Sequence, residues 1–217
     1  MNSSSGCDTL KTSMLFFNGM DHMDQKRNVV NFLFEAGHLF RTPRAGFQFL
    51  GSGKQSVAEH LFRTAIIGYS LAKLDGTVDA EKVATMCLFH DFAESRVSDL
   101  GYVHQKYVTK DEDKAMEDMA TPLPFGKDIL DIFHEYEKRE SRESVLVKEA
   151  DNLELLLTLK ELSDQGNPQA KDWMPSTVGR LKTDLGREMA EEVMQTESCE
   201  WWFGNKNDEY WITRNKS

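Results

Sequence analysis

The stretch CLFHDFAES, residues 87–95, places His90 beside Asp91 and Glu94 three residues further on, within an otherwise apolar segment. Ionisable groups in such surroundings are costly unless they are paired, hydrogen-bonded or bound to a metal. Alone, a His-Asp pair carries little weight, because a buried histidine bonded to a carboxylate serves structure as readily as chemistry. Two further positions change that balance: His60 lies in the apolar segment QSVAEHLFRTAIIGYSLAKL upstream, and Asp151 interrupts VLVKEADNLELLLTL downstream. Two imidazole nitrogens and two carboxylate oxygens form a mixed set suited to divalent Mn, Fe, Co, Ni or Zn, with coordination positions left for water. Cys87, three residues before His90, is read as a small core residue rather than a competing ligand.

Helices must position these groups. From Gln25 to Phe40, Val29, Phe32, Leu33, Ala36, Leu39 and Phe40 recur at three- and four-residue steps, which predicts a helix with one apolar stripe. RTPRAGF ends it: Pro43 biases Thr42 away from the helical basin, so Arg41 and Arg44 fall at the helix end or in the loop that GSGK extends. Residues 55–74 predict the next helix, with Ser56 and Glu59 spaced as a capping box. A third helix is predicted from Asp79 to Arg96, on which His90, Asp91 and Glu94 share one edge. Helices are also predicted over 110–120, 126–138, 141–163 and 176–195, with EYEKRESRES as a solvated turn. No segment alternates as a strand does, so the fold class is all-α, a single helical globule of roughly seven or more helices. Residues 25–195 form the domain, residues 1–24 a poorly ordered N-terminal segment, and 196–217 an aromatic tail packed on the body.

With 26 Lys and Arg against 36 Asp and Glu among 217 residues, the formal charge of −10 excludes broad binding to nucleic-acid polymers or anionic membranes. A small phosphorylated ligand stays compatible, since one metal and one or two arginines neutralise it locally. Three cysteines, Cys7, Cys87 and Cys199, are too few and too far apart for a disulfide framework or zinc knuckle, and read as reduced thiols. The start MNSSSGCDTL has neither the basic nor the apolar part of a signal peptide, and no apolar run reaches the ~18 residues of a membrane span, so a soluble cytoplasmic protein is expected. His22, His38, His104 and His134 have no partner spacing and are read as surface or satisfied core groups.

The order H…HD…D, as His60, His90-Asp91 and Asp151, resembles the HD-domain superfamily of metal-dependent phosphohydrolases. SVAEH, FHDFAESRVSDL and LVKEADNLE are similar to its 5′-deoxynucleotidase branch and to the HD-domain-containing protein 2 group, over residues 25–165. The resemblance implies that His60, His90, Asp91 and Asp151 hold a divalent ion, Mn, Co, Fe, Ni, Zn or Mg, and that the activity is removal of phosphate from (deoxy)nucleoside 5′-monophosphates. It makes Glu94 and Asp99 the acidic residues that follow the HD pair, and Arg41 the phosphate-binding arginine. Glu94 is then the proton-transfer group, Arg41 offers a planar fork to the phosphate, and Asp99 accepts from the sugar 3′-hydroxyl or assists proton transfer. Thr42 stands where bacterial members carry a tryptophan that shapes the sugar pocket, and the loop GSGKQ is longer than theirs, so its tip is expected near the substrate. The family habit, the apolar share of helix 141–163 and the tail tryptophans point to a homodimer. Alternatives are a nucleoside triphosphohydrolase, which needs further basic groups, and a non-catalytic nucleotide- or metal-binding protein. Ser95 replaces the second acid of a (p)ppGpp hydrolase H-D-x-x-E-D motif, and the added histidine ligands of cyclic-di-GMP phosphodiesterases are not found.

Overall fold

The computed structural model describes residues 22–210, the side chain of His22 excepted, and no strand occurs among them. The chain runs through α1 (His22–Ala36), a 3-10 turn (Gly37–Phe40), α2 (Phe47–Leu50), α3 (Val57–Asp75), α4 (Ala80–Phe89) and α5 (Glu94–Val97). After a second 3-10 turn (His104–Lys106) come α6 (Glu112–Ala120), α7 (Gly126–Lys138), α8 (Arg142–Asp164), α9 (Pro168–Val178), α10 (Asp184–Gln195) and α11 (Glu200–Phe203). Residues 1–21 and 211–217 lie outside the described residues, and with them most of the expected N-terminal segment and the end of the tail.

Local chemistry explains the boundaries. The capping box at α3 forms: Ser56 Oγ accepts from the Glu59 amide at 3.2 Å while the Glu59 carboxylate accepts from the Ser56 amide at 2.6 Å. Asp79 caps α4 by accepting from the amides of Glu81 and Lys82. The helix predicted to run on to Arg96, however, stops at Phe89. Its ladder shortens there to three-residue steps, from Phe92 to Phe89, Glu94 to Asp91 and Ser95 to Phe92, and His90 Nδ1 donates to the Cys87 carbonyl at 2.8 Å. His90 and Asp91 therefore sit on a tight turn, and Glu94 opens the short α5.

The helix predicted over 176–195 is likewise divided, and α9 before it was not anticipated. The break lies at Gly179–Thr183, where the carboxylate of buried Glu149 on α8 accepts from the amides of Lys182 (2.9 Å) and Thr183 (3.2 Å) and from the Thr183 hydroxyl (2.8 Å). Thr183 then caps α10 through the Gly186 amide. A carboxylate about two turns into another helix thus sets this boundary, a long-range partner that local patterning does not reveal.

Helix α8 is the centre of the bundle, packed by α3, α4, α7, α9 and α10. Leu146, Val147, Leu153, Leu156 and Leu159 along it are fully buried, each apolar side chain contributing about 1.5–3 kcal/mol. A second cluster, including Val57, Leu61, Phe92, Met116, Met119 and Phe133, fills the space beside the HD turn. Helices α3 and α4 approach closely at Gly68, where an added Cβ would stand 2.5 Å from Cys87 Sγ, so Cys87 is a core residue as expected. The tail differs from its expectation. The Ser198 amide donates to Asp164 at 2.9 Å, but beyond it Trp201 is 86% exposed and Trp202 48%, so the described part does not bury its tryptophans.

Candidate metal centre and active site

Four side chains converge where α3, the HD turn and α8 meet. One donor atom from each of His60, His90, Asp91 and Asp151 lies within 4.8 Å of the others. His60 Nε2 is 3.5 Å from Asp91 Oδ2 and 3.4 Å from Asp151 Oδ1; His90 Nε2 is 3.3 Å and 4.0 Å from the same two atoms. Both Nε2 atoms are buried with no hydrogen-bond partner. Buried polar nitrogens left this way are rare, and a shared ion satisfies both at once, so the donor set fits a divalent metal.

The far side of each ring fixes which nitrogen faces the cluster. His90 Nδ1 donates to a carbonyl, and His60 Nδ1 lies 2.7 Å from Glu154 Oε2, an acceptor, so each Nε2 carries a lone pair inward. Glu154 is itself held by Gln55 Nε2 at 2.7 Å, Arg63 Nε at 2.9 Å and Thr158 Oγ1 at 3.1 Å. Burial alone would raise its pKa, but His60, Arg63 and Gln55 outweigh that and bring it down to about 2. Burial and Arg44 oppose charge on His60, yet the nearby carboxylates of Asp151, Asp91 and Glu154 prevail and lift its pKa well above the ordinary value. The same negative surroundings that favour a proton there favour a cation. Burial also works against charge on Asp91 and Asp151, and it too is outweighed: His90, His60 and Arg44 hold Asp91, and Lys148, His60 and His90 hold Asp151, well below the usual carboxylate range.

Three of the four, His90, Asp91 and Asp151, line the floor of a cavity of 600 Å³ whose wall includes Glu94, Asp99, Arg44, Lys110 and Arg180. Glu94 is buried; Lys110 Nζ contacts its Oε1 at 3.1 Å while Oε2 has no partner. Burial, together with the charges of Asp91 and Asp99, pushes its pKa up to about 8 against the pull of Arg44 and Lys110. Asp99 Oδ2 accepts from the Ala45 amide at 2.8 Å and stands 3.7 Å from Arg44 Nε, which steadies the loop carrying that arginine.

Three expected groups lie elsewhere. Arg41 is exposed at the end of the first 3-10 turn and does not line the cavity; Arg44 does, its Nη1 3.2 Å from Asp91 Oδ2. The reason is the turn at Pro43, bridged to Ser56, where the Arg44 amide donates to the Gln55 carbonyl and the chain folds back over the site. Pro43 signalled the turn, but not which flanking arginine it would aim inward. Thr42 is buried, with its hydroxyl donating to the His38 carbonyl at 3.3 Å, and is absent from the cavity wall. Gln55 of the GSGKQ loop bonds Glu154 and lines a smaller cavity beside the metal cavity, and Gly53 and Lys54 line a separate groove with Phe62 and Arg63. Glu154 and Lys110 were missed in sequence; the spacing D-x-x-E on α8, one turn beyond a ligand, was the available signal for the first.

Residues 36–194 match the HD domain family. The chain is 30% identical over 163 residues to 5′-deoxynucleotidase HDDC2 of Bos taurus, spanning 71% of this chain and 78% of that protein. It is 29% identical over 188 residues to 5′-deoxynucleotidase hdd1 of Schizosaccharomyces pombe, spanning 80% and 92%. A conserved hypothetical protein of solved structure from Pyrococcus furiosus aligns with a TM-score of 0.68 at 30% identity, over 77% of this chain and 99% of that one. With its HD pair on the floor of the cavity and the match extending over most of its length, the chain belongs to the HD domain family.

Proposed function

We propose that the protein is a metal-dependent 5′-nucleotidase that removes phosphate from (deoxy)nucleoside 5′-monophosphates, with residues 25–195 as its catalytic domain. The observation that carries this is the pair of unpartnered, buried imidazole Nε2 atoms facing two carboxylates beneath Arg44 and Glu94. The names of the bovine and yeast relatives support the substrate class.

In this reading His60, His90, Asp91 and Asp151 would hold a divalent ion, which when bound would lower the pKa of a water and neutralise phosphate oxygens. Arg44 binds a phosphate oxygen through its guanidinium, which Asp91 and Asp99 keep in place. Glu94, whose surroundings favour a proton near neutral pH, gives that proton to the departing ribose oxygen. Lys110 restrains the Glu94 carboxyl and holds the adjoining turn through the Ser98 carbonyl at 3.1 Å. Asp99 acts by positioning Arg44. The groove-facing Phe62 and Ile66, 68% and 56% exposed on α3, support a second copy of the chain as partner in a homodimer. Among the described residues no helix is long and apolar enough to cross a membrane, and the unpaired thiols Cys87 and Cys199 support a reducing, cytoplasmic setting.

One observation favours a longer phosphate chain. Arg139 and Lys148 also line the cavity, the further basic groups that a triphosphohydrolase requires. A panel of ribo- and deoxynucleotides carrying one, two or three 5′-phosphates, with Mn²⁺, Co²⁺ and Mg²⁺, separates the readings. Monophosphate turnover well above that of a plain aryl phosphate is the expected result, and equal rates on the two would refute the nucleotidase assignment.

A further inference from the structure

The metal cavity is not closed on every side. A second cavity of 260 Å³ adjoins it, and Arg44, Asp99, Leu100, Gln105, Leu155 and Arg180 line both. The two differ in chemistry. Charged groups dominate the first, whereas Phe47, Leu50, Tyr102 and Trp173 give the second an apolar and aromatic wall.

We infer that this second cavity is the nucleobase subsite, with Leu155 and Trp173 as walls and Gln105 and Arg180 as the polar groups that meet the base edge. The inference rests on the nucleotidase reading above. Four observations carry it. Phe47, Leu50, Tyr102 and Trp173 offer apolar surface beside the polar Gln55, Thr158, Gln105 and Arg180, a mixture that suits a planar heteroaromatic ring with polar edge atoms. The Trp173 ring is seated against Gly46, 3.4 Å from where a Cβ would stand, so the wall is held in place from the loop that also carries Arg44. Gln105 donates Nε2 to the Leu100 carbonyl at 2.8 Å, which leaves its amide oxygen as an acceptor, and Arg180 makes no ion pair among the described residues. A donor and an acceptor are therefore present on the shared rim, each on a separate element. The six shared residues set the two cavities side by side with Arg44 on the wall of both, so a phosphate held at Arg44 stands next to the second cavity.

The test compares a 2′-deoxynucleoside 5′-monophosphate with 2-deoxyribose 5-phosphate, which has the same phosphate and sugar but no base. The parent protein should favour the nucleotide by at least ~10-fold in kcat/KM, the order that burying one flat apolar ring supplies. Leu155→Trp, which fills the cavity, should collapse that ratio towards one through a raised KM for the nucleotide. Gln105→Ala, at an exposed position that does not endanger folding, should reduce it by ~3–10-fold, the loss of one hydrogen bond. Isothermal titration with the free deoxynucleoside, which has the base and no phosphate, should show binding to the parent and weaker binding to both variants. Equal kcat/KM on the two phosphates, or a ratio and nucleoside affinity unmoved in both variants, would overturn the subsite. Cleavage of neither phosphate would instead remove the nucleotidase reading, and the titration would still decide whether the cavity takes a base.

Discussion

The two halves of the metal centre are built differently. His60 projects from the first turn of the long helix α3 and Asp151 from the middle of α8, and His60 is tied to Glu154, itself bonded to Arg63, Gln55 and Thr158. His90, Asp91, Glu94 and Arg44 come from turns and a single-turn helix, and their anchors are a backbone carbonyl, each other and Lys110. In the helix-borne half His60 is buried behind a chain of charge-assisted hydrogen bonds, while Asp151 reaches the cavity. The turn-borne half faces the cavity. The difference teaches a division of labour: the rigid half sets how tightly an ion is held, and the half on turns presents the groups that meet substrate.

Asp91 is the point where the halves meet, because its Oδ2 lies within 3.5 Å of both imidazole nitrogens. The largest effect is therefore expected from Asp91→Ala, which should lose the ion, abolish activity and lower the melting temperature measured with metal present, since bound metal stabilises the fold by mass action. Metal content by elemental analysis checks it; an ion retained stoichiometrically would break the division at its centre. Glu94→Gln, within the turn-borne half, should keep the ion and near-native nucleotide affinity while turnover falls by ~10²–10⁴-fold. Loss of the metal in this variant would show that Glu94 belongs to the ion-holding set.

Arg44 and Arg41 sharpen the comparison further. Arg44→Ala should raise KM for the nucleotide by ~10–100-fold, the worth of a charged hydrogen bond, whereas Arg41→Ala at an exposed site should stay within ~2-fold. Reversal of that order would return phosphate binding to Arg41. In the helix-borne half, Glu154→Gln should weaken metal affinity by ~10–100-fold, measured by titration of the apo protein, because the partner that orients His60 is lost. KM for the nucleotide at saturating metal should change little.

The smallest effect is on stability in acid. The fold lowers the Glu154 pKa from 4.5 to about 2, so it favours the carboxylate. That contribution is complete above the unfolded value and is lost as pH falls towards the folded one. Glu154→Gln should therefore flatten the decline in unfolding free energy between those limits by ~1–3 kcal/mol in denaturant titrations. A decline as steep as the parent's would mean that other carboxylates dominate acid unfolding.

By itself the sequence determined the all-α class, the capped start of α3 and the four residues of the cluster. Each of these depends on local chemistry or on residue types that are costly in an apolar helix, and such costs are visible without coordinates. Tertiary structure alone decided the rest. The HD pair left its helix because the His90 side chain took the Cys87 carbonyl, and α10 began at Thr183 because Glu149, distant in sequence, accepts from the backbone there. Arg44 replaced Arg41 at the cavity because the turn at Pro43 carries one arginine inward and leaves the other in solvent. Spacing names the groups that need a partner; apart from the local His90–Cys87 bond, which partner each one meets is set by how the helices pack, as in the bonds from Lys182 to Glu149 and between His60 and Glu154, 33 and 94 positions apart in the chain.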